Sequence, residues 1–188
     1  MAIKTFTTGE VLTAADTNTY LANSGLVYIT EVALSTTAID GIFTSTYDNY
    51  RIVVNQIQTS GAAGLVQFNF RDTSNATVTA SNYYTAGNRY DSSGTNYDFG
   101  VQAVAQAETA INTSTGGNWA SFSMDVYGPR LSTQTSVSLV GVGAINGPSV
   151  CTSATGYNAT QAHAGIVFKV SAGTFSSGRV FVYGYRKA

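Results

Sequence analysis

His163 is the single histidine of the chain and Cys151 its single cysteine, so imidazole or thiol chemistry would have to run through these two positions. The segment around the histidine, Thr160-Gln161-Ala162-His163-Ala164-Gly165, carries no acid to orient the ring. A nucleophile needs its base within hydrogen-bond reach, and only tertiary folding could bring Cys151 and His163 together. The expectation is therefore a surface or strand-entry histidine and a small buried thiol. Neither residue type is numerous enough to build a zinc centre within one chain.

Carboxylate chemistry is the next option, because a pair of acids suffices for glycoside hydrolysis. Asp91 with Asp98, or Asp125 with Glu108, could form such a pair, yet nothing in their spacing selects one. Asp91-Ser92-Ser93-Gly94-Thr95-Asn96-Tyr97-Asp98 places oxygen ligands at alternating positions, as a loose calcium loop would. It lacks the closing bidentate glutamate of an EF-hand and reads as a solvated loop. The glycines form neither a dinucleotide fingerprint nor a phosphate loop. The sequence thus predicts no catalytic residue, no cofactor and no metal, and a protein that is not an enzyme.

What remains is surface chemistry. Tyr83, Tyr84, Tyr90 and Tyr97, interleaved with Asn, Ser and Gly over 82–98 and backed by Trp119, suit contact with protein or sugar. A tyrosine offers a rigid apolar plate with a hydroxyl at low entropic cost. This Asn82–Asn96 stretch is expected to be an exposed loop region.

The elements that would position these residues are strands. Of 188 residues, 10% are charged and 44% hydrophobic, with 12 Tyr and 19 Gly against 2 Pro. Residues favoured on pleated surfaces and in turns dominate, and strong helix formers are scarce. The clearest nucleus is Ile42–Gln58: Asp48-Asn49 makes a corner, after which Tyr50, Ile52 and Val54 alternate with Arg51, Val53 and Asn55. Further strands are expected over Leu26–Leu34, Leu65–Arg71, Thr77–Thr85, Phe99–Ala105, Trp119–Tyr127, Thr135–Ile145, Ile166–Val170 and Arg179–Tyr185. Ser60–Gly64 reads as a hairpin-type loop, and Gly141 and Gly143 as a bulge or close backbone contact, with an aromatic ring as the neighbour. The fold class expected is all-β, a jelly-roll-like β-sandwich over 26–188.

Residues 1–25 differ. Thr13 can cap a short helix over Ala14–Asn23 that Gly25 closes. Its apolar residues form too narrow a stripe to hold it alone in water, so it must dock on its own domain or on a neighbour. A net charge of -1 with scattered basic residues predicts no nucleic-acid partner. No apolar run is long enough to span a bilayer, and the first twenty residues lack the apolar stretch of a secretion signal, so a soluble protein without membrane insertion is expected.

The segment Thr8-Gly9-Glu10-Val11-Leu12-Thr13-Ala14-Ala15-Asp16, continued by Asn18-Thr19-Tyr20-Leu21, resembles the N-terminal segment of bacteriophage virion proteins, tail fibres and minor tail proteins especially. Phe43-Thr44-Ser45-Thr46-Tyr47-Asp48-Asn49-Tyr50-Arg51-Ile52 and the closing Val182-Tyr183-Gly184-Tyr185-Arg186-Lys187 are similar to the small tail or capsid-surface proteins of such phages. The resemblance implies a non-enzymatic virion component, commonly a homotrimer. Its residues 1–25, with Phe6, Val11, Leu12, Tyr20 and Leu21, would attach to other virion proteins while the β-domain faces outward. A tail-fibre or tail-associated adhesin touching a host-surface glycan is the first expectation. A capsid decoration, cement or head-fibre protein is the alternative, and a carbohydrate-active enzyme the remoter one.

Overall fold

The computed structural model describes residues 7–11, 13, 25–35, 38–116, 119–144 and 147–186. Eleven strands follow in chain order: β1 (Leu26–Ala33), β2 (Asn49–Ser60), β3 (Leu65–Asp72), β4 (Tyr83–Asp91), β5 (Asn96–Val104), β6 (Ala107–Asn112), β7 (Ala120–Tyr127), β8 (Thr135–Gly143), β9 (Ser149–Tyr157), β10 (His163–Val170) and β11 (Thr174–Tyr185). Eight form one sheet in the order β1-β11-β2-β7-β8-β9-β4-β5, and three form a second in the order β10-β3-β6. All the pairings are antiparallel. The all-β sandwich expected from the sequence is the fold observed, with layers of unequal width. The helix expected over Ala14–Asn23, and with it Phe6, Leu12, Tyr20 and Leu21, lies outside the described residues.

β2 shows how local sequence dictates its place. Tyr50, Ile52 and Val54 are fully buried while Arg51, Val53 and Asn55 are half-exposed on the opposite face, as a two-residue period requires. The corner before it is clasped by its own tyrosine. The Thr44 amide donates to Tyr50 Oη at 2.7 Å and the Tyr50 hydroxyl donates to the Thr44 carbonyl at 2.9 Å.

The core fills the space between the sheets. From the broad sheet come Tyr50, Ile52, Val54, Phe122, Met124, Val126, Val180 and Val182; from the narrow one come Val66, Phe68, Phe70, Ile111, Ile166 and Phe168. Phe122 and Phe168 meet edge-on across the interface at 6.0 Å. Each such side chain contributes about 1.5–3 kcal/mol on burial, and this shared interior holds the layers together. Gly141 makes a close backbone approach, where a Cβ would lie 2.5 Å from Phe122 Cβ and from the Ser121 carbonyl, whereas the neighbour at Gly143 is Ser149 Oγ at 2.5 Å rather than an aromatic ring.

Three expectations need correction. Asn82–Asn96 is not a loop: most of it is β4, paired over its whole length with β9 and with β5. The strand expected over Thr77–Thr85 begins only at Tyr83, because Val78 and Asn69 instead close a turn back onto β3. Ser60–Gly64 is not a hairpin loop, since β2 lies in the broad sheet and β3 in the narrow one.

Candidate functional site

The inner ends of β3, β4, β9 and β10 place Phe70, Tyr83, Tyr157 and His163 together. Tyr83 was a candidate for the surface, and it is wholly buried instead. Its ring stacks on Phe70 at 6.1 Å and meets Tyr157 edge-on at 4.9 Å. Its hydroxyl accepts from the Phe70 amide at 2.9 Å and donates to the Val78 carbonyl at 3.1 Å. Burial holds this phenol far above the ordinary tyrosine range.

His163 enters β10 as expected but is fully buried, not on the surface. The imidazole lies face-on against Phe70 at 4.4 Å and edge-on to Tyr157 at 4.9 Å. Neither ring nitrogen has a hydrogen-bond partner among the described residues. Burial lowers its pKa to about 4, with Asp72, opposite it on β3, pulling weakly the other way. The ring is boxed by aromatics, wholly buried and without a hydrogen bond to an acid among the described residues.

Cys151 is equally remote from chemistry. It faces the core from β9, six residues before Tyr157 and hence about 20 Å along the strand from the ring that touches His163. Its polar neighbours are Ser149 and the Gly143 backbone, and burial, the largest effect, pushes the thiol above its usual range.

The four carboxylates weighed for hydrolysis are each committed to a structural partner. Asp91 Oδ1 accepts from the Ser93 amide at 3.0 Å, the Ser93 hydroxyl at 2.5 Å and the Thr95 amide at 3.1 Å, closing the β4–β5 turn. These bonds, the Ser93 hydroxyl foremost, hold it below the usual carboxylate range. Asp98 accepts from Asn88 Nδ2 at 2.6 Å on the opposite face of the hairpin, so the two acids do not converge. Asp125 is gripped by Arg51 through two bonds of 2.8 Å and by the Tyr185 hydroxyl at 2.6 Å. Its pKa is lowered, chiefly by the Arg51 guanidinium, while Tyr185 is raised to about 12 by burial and by Asp125. Glu108 lies on the narrow sheet and accepts from Gln67 at 3.3 Å. Among the described residues no cluster of His, Cys, Asp and Glu could hold a metal ion.

The remaining tyrosines separate by face. Tyr84 and Tyr90 are exposed on the outer face of the broad sheet, opposite Gly156 and Val150 of β9. Tyr97 stands on the other face, opposite Arg89, whose guanidinium carbon lies 4.1 Å from the ring centroid. Trp119 is half-exposed beside the start of β7, and Val11 is 77% exposed.

No protein-family model matches the chain, and no curated protein does.

Tyr84, a surface candidate from the sequence, borders a cavity of about 380 Å³ at one end of β8, β9 and β4, whose other lining residues sequence reasoning missed: Gln134, Thr135, Ser136, Gly156, Tyr157 and Asn158. Gln134 Nε2 donates to Asn158 Oδ1 across its rim. In the sequence, Gly156 between Thr155 and Tyr157 carries only a turn signal, and nothing marks it as the floor of a depression.

Proposed function

We propose that this chain is a non-enzymatic structural protein of a bacteriophage particle, a tail-fibre or tail-associated surface adhesin. Residues 1–25 join it to other virion proteins and the β-sandwich faces outward as one member of a homotrimer. The observation that carries the reading is the outer face of the broad sheet. No second layer covers it among the described residues, and it presents Tyr28, Tyr84, Tyr90, Tyr127, Val140 and Val150 to solvent. Arg51 with Asp125 and Arg179 with Glu31 are paired on it, so it acts by shape and by tyrosine chemistry more than by charge.

Two further points support it. The acids considered for catalysis are engaged in a turn, an ion pair and cross-strand hydrogen bonds. The two internal segments that resemble phage surface proteins also pack on each other, with the Tyr47 ring lying on Gly184.

The test is a truncation lacking residues 1–24. It should fold yet fail to join the particle, and normal incorporation of that truncation would overturn the anchoring. Gold-labelled antibody on intact particles should mark the tail; a label on the head would reassign the chain to capsid decoration. Light scattering of the purified protein should give the mass of a trimer.

A further inference from the structure

The depression beside Tyr84 is formed by the register of three strands. Tyr84 of β4 lies opposite Gly156 of β9, which lies opposite Ser136 of β8. The middle position has no side chain, and a Cβ built on Gly156 would meet nothing within 4 Å. A trough therefore opens between the tyrosine ring and the serine hydroxyl. Two strand spacings set its width at about 10 Å. The Gln134 and Asn158 side chains close one end. At the other, a second depression of about 400 Å³ continues across the small side chains of Ala86 and Ala154 and shares Tyr84, Ser136 and Gly156.

The lining has a consistent chemistry. It offers an aromatic ring, two carboxamides and hydroxyl groups, with no Asp, Glu, Lys, Arg or His. Thr135 borders the same end, but its side chain belongs to the buried face of β8 together with Val137 and does not reach the trough. An anion or cation would find no counter-charge here. A purely apolar ligand would strand the amides. An uncharged ring with hydroxyls around its edge and C–H groups on its face satisfies both.

We propose that this trough binds a neutral pyranose, with the sugar face on Tyr84, its hydroxyls bonded to Gln134, Ser136 and Asn158, and Gly156 as the floor that admits it. The proposal deepens the adhesin reading and rests on it for its biological meaning. The site is open and of single-sugar size, so the dissociation constant should be on the order of 1 mM.

The full chain, isotopically labelled, is titrated with glucose, galactose and N-acetylglucosamine up to ~50 mM while its amide resonances are followed. At least one sugar should produce saturable shifts at Tyr84, Ser136, Gly156 and Asn158. Gly156→Val should weaken binding at least ~10-fold by filling the trough while leaving the melting temperature near that of the parent, because valine fits a strand position with open space. Tyr84→Ala provides a second variant with the same expected loss. Absence of shifts with all three sugars, shifts confined to another part of the molecule, or binding indifferent to Gly156→Val would each overturn the proposal. Particle labelling separates the two readings: sugar binding by a protein missing from the particle would refute the adhesin and leave the site standing.

Discussion

The ring of Tyr47 lies against Gly184 so closely that a Cβ at position 184 would fall 2.4 Å from two ring carbons. Gly184 is in β11, paired with Tyr50 of β2, so this contact seats the corner before β2 on the neighbouring strand. The Tyr47 ring also meets Tyr50 edge-on at 5.9 Å. Gly184→Ala should therefore destabilise by about 1–3 kcal/mol through overpacking. In Tyr47→Ser the same glycine substitution should cost far less. A double-mutant cycle in urea measures the coupling, and simple additivity would count against the contact.

The hydroxyl of Tyr50 serves the same corner by bonding both backbone groups of Thr44. Tyr50→Phe removes that oxygen while keeping the buried ring. Two backbone groups lose their partner, and the expected loss is about 1–3 kcal/mol in equilibrium denaturation.

His163 makes stability fall in mild acid. Its pKa is about 4 folded against 6.5 in the ordinary state, so below pH 6.5 the unfolded chain binds the proton more readily. Stability is then full above about pH 6.5, declines as pH drops and levels off near pH 4, for a total of about 3 kcal/mol. His163→Phe should flatten the curve in that window, at a packing cost that does not vary with pH. Melting temperatures from pH 4 to pH 8 check it.

Asp125 joins Arg51 and Tyr185 on the outer face. Asp125→Asn removes the negative charge that helps hold Tyr185 at about 12. Spectrophotometric titration should show this phenol moving down while staying above the ordinary tyrosine value, because burial is the larger cause. The ion pair is partly exposed, so the stability cost should stay near ~1 kcal/mol.

The strands with contrasting faces were legible from the residues alone: β2, β7 and the end of β11 alternate large apolar with polar side chains. β9 was not, because Ser149, Cys151, Ser153 and Thr155 face inward and Val150 faces out. The buried Thr155 hydroxyl finds its partner across the sheet in Thr85 at 2.9 Å, and hydropathy does not record this. Tyr83 and Tyr84 are the same residue type on opposite faces, so only register distinguishes core from surface. The aromatic box around His163 is assembled from positions 70 and 157, one of them far away in the chain. The trough depends on Tyr84, Gly156 and Ser136 meeting across three strands, which no local pattern reveals.

Because one side of the broad sheet packs on the interior and the other faces solvent, neighbouring positions in a strand meet different physical constraints. Ser153 and Thr155 are buried by the interior, whereas Thr152 and Ala154 face solvent. A lineage could rewrite every second codon of a strand, those of the outward positions, and change what the molecule touches while inheriting its scaffold intact.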